Sequence, residues 1–235
     1  MKAFTLTYSI LTILAYSVPT NAFNYHELKV YGYETADPHE TEFENLSSVS
    51  SNNILRSSFE LNHGFTDTLE AATYLDYQQD KGSKLNIAAV RTHLRKSFYK
   101  PGELLVDNAA YVEAAVPSDS DESYTLEAKY ILQKTFDRLS LILSPGIEYV
   151  KLKEKNSNGK DIEIEKNISS SLRYASNDHL QLHLDYLGEL KEDPVQLLIF
   201  GADYEIKHGL KIAAGLGNNN TNDKIVFAGL EFEIE

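Results

Sequence analysis

The sequence predicts an all-β fold: a transmembrane antiparallel up-and-down β-barrel of about 12 strands with short periplasmic turns. Three observations carry that expectation. From about Glu42 to Glu235, stretches of roughly ten residues alternate apolar with polar side chains, the two-residue period of a strand with one covered face. The connections between these stretches are by turns very short and somewhat longer. A segment with the layout of a secretion signal comes first.

That segment spans residues 1–22. Lys2 supplies its positive start, Ala3 to Val18 is mostly apolar, and Pro19 precedes the small-residue site Thr20-Asn21-Ala22. Its apolar stretch is short and interrupted by Thr, Ser and Tyr, which argues against a retained membrane anchor. The mature chain is then expected to start at Phe23, with a leader over 23–40 and one barrel domain over 41–235. The chain has no cysteine, which excludes lipid attachment at a Cys, a disulfide framework and a thiolate metal site. The net charge is −13 for the whole chain, from 22 Lys and Arg against 35 Asp and Glu. Such a surface repels nucleic acid, so that partner class is set aside.

Strands are expected near 41–49, 54–65, 69–79, 85–98, 104–116, 124–136, 139–153, 162–175, 180–190, 195–207, 210–218 and 224–235. Thr66-Asp67-Thr68, Pro101-Gly102, Asp137-Arg138, Asn177-Asp178 and His208-Gly209 carry the residue types of tight turns. Asp80 to Lys84, Pro117 to Ser123, Lys155 to Asp161, Lys191 to Pro194 and Asn218 to Asp223 form the longer hydrophilic set. Short turns on the periplasmic side and longer loops outside are the usual arrangement. Twelve strands put both termini on the short-turn side, as that topology requires.

A weak repeat agrees. An aromatic precedes each tight turn (Phe65, Phe98, Phe136, Tyr174, Tyr204) and a leucine follows it (Leu69, Leu104, Leu139, Leu180, Leu210). Rings with one polar edge favour the lipid–water boundary, so this set suits a periplasmic girdle. Tyr77, Tyr124, Tyr149 and Tyr186 suit the outer one. The same rings would also fill the core of a soluble β-sandwich, and strand length separates the two. Strands of about 10 to 13 residues match a tilted membrane crossing and exceed the usual globular strand.

The faces are clear in several strands. Leu180, Leu182, Leu184, Tyr186 and Leu190 oppose Gln181, His183, Asp185 and Glu189. Leu198, Phe200, Ala202, Tyr204 and Ile206 oppose Asp203 and Glu205. The segment from Phe59 to Ala72 (FELNHGFTDTLEAA) resembles a hairpin common in proteobacterial outer-membrane barrels, among them uncharacterised families and transporters of the phenol-degradation type. Tyr31 to Pro38 (YGYETADP) resembles the segment that opens the barrel in one such uncharacterised family. The resemblance implies a Gram-negative outer membrane location and a transport role. The chain departs from the pattern at its end, where Phe232 lies before Glu233-Ile234-Glu235 in place of a terminal aromatic.

If the apolar faces meet lipid, the opposite faces define a lumen. Its expected acidic lining includes Glu60, Glu70, Asp76, Asp107, Glu113, Glu127, Glu148, Asp185 and Asp203, and its basic lining Arg56, Arg91, Arg95, Lys129 and Arg173. His183 and His93 share those faces. Arg91, His93 and Arg95 form a row that suits an anion, or else pairs with the lumen carboxylates and braces the wall. Eight strands leave an interior filled by side chains and sixteen leave a channel, so twelve admits either a narrow pore or a plugged cylinder.

The leading expectation is a passive channel or diffusion-type transporter for small polar or cationic solutes, favoured by the acidic excess. The alternative is a non-conducting structural or interaction barrel with a plugged lumen. A third is a lipid-modifying enzyme, for which a Ser nucleophile must meet a His base. Ser57 and His63 share a face but lie roughly 20 Å apart along an extended strand, so no catalysis is expected. His26 and His39 flank the acids Glu27, Glu34, Asp37, Glu40 and Glu42 without the spacing of a metal motif, and no cofactor is expected. The expected partners are outer-membrane lipid and small solutes.

Overall fold

The computed structural model describes residues 28–100, 102–118, 123–152, 161–191 and 194–234. Twelve strands follow one another: β1 (Thr41–Ser50), β2 (Leu55–Thr66), β3 (Leu69–Gln79), β4 (Asn86–Ser97), β5 (Asp107–Pro117), β6 (Tyr124–Phe136), β7 (Leu139–Lys151), β8 (Ile162–Asn177), β9 (Leu180–Glu189), β10 (Gln196–Lys207), β11 (Leu210–Asn219) and β12 (Lys224–Ile234). Each pairs antiparallel with its sequence neighbours, and β1 pairs with β12 to close the barrel. Closure removes the open edge that would leave backbone groups unpaired in hydrocarbon. Segment 1–22 and the first residues of the leader lie outside the described residues.

The short turns owe their geometry to residues that tolerate positive φ. Asp137 adopts φ 52° and Gly209 φ 74°. A register shift precedes the turn between Gly64 and Thr66, Ala175 and Asn177, and Glu205 and Lys207, adding the local twist of a bulge. The connection at Gly102 departs from expectation, Pro101 itself lying outside the described residues. β4 ends at Ser97 and β5 begins at Asp107 rather than at 104. Gly102 N donates to the Asp107 carboxylate at 2.8 Å and Glu103 N to Lys100 O at 3.2 Å, so local bonds replace the ladder there. Leu105 is left 81% exposed.

Burial alternates along most strands, and the predominantly apolar parity faces outward. Phe59, Leu94, Leu126, Ile147, Leu198, Phe200 and Leu230 are all exposed on the outer wall. Phe65, Phe98, Phe136, Tyr174 and Tyr204 ring the turn end, while Tyr124 and Tyr149 lie exposed at the loop end. Pro145 sits in the middle of β7, where it has no N–H to give; the β6–β7 ladder skips from Leu143 to Gly146 there.

The interior is not simply a ring of side chains. Residues 28–40 run from the turn rim into the lumen. At the rim, His39 N donates to Gly64 O at 2.8 Å and Gly64 N to Glu40 O at 3.1 Å. A Cβ at Gly64 would collide with the carbonyls of Ala36 and Asp37, so glycine is needed where the leader crosses β2. Further in, Val30, Tyr33 and Ala36 are buried.

Candidate functional site: a half-filled lumen

One half of the lumen is packed. On β3, β4 and β5 the inward residues are large and charged, and they pair with one another. Arg91 Nε donates to Asp76 Oδ2 at 2.6 Å and its Nη1 to Glu113 Oε2 at 3.0 Å. Tyr111 donates to the same Glu113 oxygen at 2.6 Å, Ser58 donates to Asp76 at 2.6 Å, and the guanidinium lies 4.2 Å from the Tyr74 ring centroid. Further along β3 and β4, Glu70 is wholly buried and gathers donors. These are Arg95 Nη2 at 2.6 Å, Ala36 N at 2.7 Å, and His93 Nε2 and Asn62 Nδ2 at 3.2 Å.

The leader is built into this network. Arg95 donates to Gly32 O at 3.1 Å, Gln133 Nε2 to Glu34 at 2.8 Å, and Arg173 to Val30 O. The Tyr31 ring stacks on Tyr111 at 5.6 Å, and its hydroxyl lies 3.0 Å from that of Tyr74. Lys29 reaches across to Glu44 at 2.7 Å. Backbone groups of the leader thus find partners on the barrel wall, as buried peptide groups must.

The other half stays open. A vestibule of about 550 Å³ lies between the leader and the β8–β12 and β1 walls. Among the described residues its lining brings nine carboxylates (Glu34, Glu42, Glu44, Glu60, Asp178, Asp185, Asp203, Glu205 and Glu231) against five bases (Lys29, Arg95, Arg138, Arg173 and Lys211). Arg138, Asn177, Asp178 and His179 place its mouth at the turn rim. Towards the loop end, Leu187, Leu197, Ile199, Ile225 and Phe227 point inward and pack as an apolar layer.

All sixteen residues expected on the lumen side stand on the inward parity. Arg91, His93, Arg95, Glu70, Asp76 and Glu113 come together in the packed half. Arg56 donates to Gln78 at 3.1 Å near the loop end, and Glu60 accepts from the Tyr74 hydroxyl at 3.0 Å. Glu127 pairs with Lys129 at 2.8 Å, and Glu148 stands opposite Glu127 in register. Arg173, His183, Asp185 and Asp203 face the vestibule, whereas Asp107 is taken up at the rim by Gly102. The row Arg91–His93–Arg95 is engaged by carboxylates and presents no free anion seat.

No family model matches this chain, and no curated protein matches it in sequence. Solved structures do match. The KdgM porin aligns with TM-score 0.64 at 9% identity, covering 83% of this chain and 99% of its own. The NanC porin aligns with TM-score 0.67 at 8% identity over 81% and 98%. An outer-membrane channel from Pseudomonas putida F1 aligns with TM-score 0.67 at 10% identity over 88% and 100%. The fold is that of a Gram-negative outer-membrane β-barrel. Identity this low speaks for the architecture, and the chemistry has to come from the residues.

Two other arrangements in this outer-membrane barrel bear on function. Ser57 and His63 do not meet: Ser57 lies 2.9 Å from the Ser47 hydroxyl and His63 Nδ1 3.0 Å from the Thr41 hydroxyl. Of the acids near the leader, Glu40 and Glu42 join Glu233 with carboxylate oxygens within 4.8 Å of one another. Asp37 N, Asn62 and Lys211 already donate to these three. His26 and Glu27 lie outside the described residues.

Sequence reasoning missed the inward apolar layer and the depth of the leader. The first had a signal: Leu197 and Ile199 share the parity of Asp203 and Glu205, so the run Leu197–Phe200 is apolar on both faces. The second had none in periodicity, because the leader is not a strand.

Proposed function

We propose that this barrel is a narrow passive channel for small polar or cationic solutes, with the leader forming one wall of the conducting path. The observation that carries the reading is the vestibule, an unfilled volume of about 550 Å³ edged, among the described residues, by nine carboxylates and five bases. An excess of carboxylate raises the local concentration of cations and repels anions. The resemblance of the Phe59–Ala72 hairpin to outer-membrane transporters supports the same reading, as do channel proteins with this architecture. One KdgM porin structure is a complex with oligogalacturonate, an acidic sugar; the vestibule here carries the charge that repels such a ligand. We assign no catalytic role, since Ser57 and His63 on β2 each bond elsewhere.

A planar-bilayer recording under a KCl gradient tests the reading. The expected result is a small conductance with a reversal potential shifted towards the potassium equilibrium potential. An anion-selective current refutes it. The second reading, a barrel sealed by its leader, is favoured by the apolar layer of Leu187, Leu197, Ile199 and Ile225. Liposome swelling separates the two, because a sealed barrel admits no solute.

A further inference from the structure

We propose that Lys29 is the selectivity-determining residue of the vestibule: a tethered counter-ion whose ammonium occupies the seat that Glu44 and Glu231 otherwise offer to a divalent cation. The inference deepens the channel reading and rests on the same vestibule being reachable by solute.

The seat follows from the strand register. Glu60 on β2 stands opposite Glu44 on β1, and Glu44 opposite Glu231 on β12, so three carboxyl side chains share one row of the wall. All three line the vestibule. Like charges directly opposite one another on one face are destabilising. The two ends of the row find partners on the wall. Glu60 accepts from the Tyr74 hydroxyl at 3.0 Å, and Lys211 donates to Glu231 Oε1 at 2.8 Å and to Glu233 at 2.6 Å. The middle does not. Among the described residues, Glu44 pairs with no cation except Lys29.

Lys29 comes from the leader and stands between the two carboxylates. Its Nζ lies 2.7 Å from Glu44 Oε2 and 3.9 Å from Glu231 Oε2, the Glu231 oxygen that Lys211 leaves. The leader is fixed just beyond it, where Arg173 donates to Val30 O and the Tyr31 ring stacks on Tyr111. The ammonium is therefore presented at a set depth, and its side chain, 39% exposed, lines the vestibule. Ca²⁺ takes carboxylate oxygens from several residues at once. With an ammonium between them, Glu44 and Glu231 attract passing cations but cannot close on a divalent one. Lys29 thus keeps the path clear of tightly held ions and holds cation selectivity below what the bare carboxylates impose.

The test titrates the full mature chain, folded in detergent, calorimetrically with CaCl₂ at constant ionic strength. Lys29→Gln is expected to bind Ca²⁺ about tenfold or more tightly than the parent, since it frees two neighbouring carboxylates. Lys29→Arg should keep the parent's weak binding, and Glu44→Gln added to Lys29→Gln should abolish the gain. Lys29→Met serves if Lys29→Gln does not fold. Arg138→Gln is the charge control, because that guanidinium also lines the vestibule but bonds Ser176 O at 3.0 Å. No gain in the Lys29 variants, an equal gain in Arg138→Gln, or a gain that survives Glu44→Gln overturns the proposal. In planar bilayers Lys29→Gln should raise the cation-over-anion permeability ratio about threefold or more and become sensitive to block by Ca²⁺; a conducting variant with the parent's selectivity also overturns it. The channel reading fails separately: a barrel that gains the Ca²⁺ site without conducting keeps the seat and loses the pore, and one that conducts without the gain does the reverse.

Discussion

Replacing Arg91 by Met should destabilise the barrel by about 3–5 kcal/mol, because it strands two buried carboxylates. The Arg91 side chain is 3% exposed, and its partners Asp76 and Glu113 are 9% and 8% exposed. Removing the guanidinium leaves the 2.6 Å bond to Asp76 and the 3.0 Å bond to Glu113 unmade, with no other cation paired to either carboxylate among the described residues. Replacing the whole unit is a different perturbation. Arg91→Met with Asp76→Asn and Glu113→Gln removes both charges along with their partner, and should recover most of the loss. The Lys151–Asp161 pair is the control, since both side chains are nearly half exposed and breaking it should leave stability close to that of the parent. The chain has no Trp. Urea unfolding in detergent, followed by far-ultraviolet circular dichroism and by gel mobility of the folded barrel, therefore supplies the readout. A cost below about 1 kcal/mol for Arg91→Met would refute the reasoning, because it would mean that water screens this half of the lumen.

Three further outcomes are expected. Deleting residues 23–36 should raise single-channel conductance several-fold, since the leader fills lumen that the wall leaves empty; an unchanged conductance counts against the leader as an inner wall. Gly64→Ala should loosen the leader at the rim and expose 28–40 to protease in intact vesicles, a change read by mass spectrometry of the released peptides. Leu197→Ser with Ile199→Ser should increase solute entry in liposome swelling by opening the apolar layer; swelling equal to that of the parent would place the constriction elsewhere.

Much of this fold is legible in the sequence because two physical constraints act on every strand. One face must be apolar for lipid, and each backbone group must find a ladder partner. That is why 69–79 and 124–136 are read to the residue and most other ends to within one or two. The exception at 104–106 is instructive. Leu104, Leu105 and Val106 continue an apolar run, so composition reads as strand, yet the Asp107 carboxylate caps Gly102 and ends the ladder. Arg91, Arg95, Glu70 and Asp185 stand on the inward parity, but parity says nothing of which inward groups touch. Arg95 bonds Glu70 on the adjacent strand and Gly32 in the leader, 63 residues away. Nothing in a local pattern encodes that second contact.

The position of the vestibule has a physical cause in side-chain size. A barrel of 12 strands is too wide to be filled by one layer of average side chains and too narrow to stay open with large ones. Here the inward residues of β3 to β6 are large: Tyr74, Arg91, Arg95, Tyr111, Ile131 and Gln133. Those of β11 are small towards its loop end, with Ala213, Gly215 and Gly217, and β8 contributes Ser169 and Ser171. The leader lies against the large side, where arginines and tyrosines can satisfy its peptide groups, and it thereby completes a solid half-cylinder. Over the glycines and serines at the loop end the apolar layer of Leu197, Ile199, Ile225 and Phe227 packs instead, and the gap remains towards the turn end, bordered by Asp185, Asp203 and Glu231. The leader therefore does more than narrow the lumen. It also orients Arg95 and Arg173, which bond Gly32 and Val30 while still lining the vestibule, where carboxylates outnumber bases among the described residues.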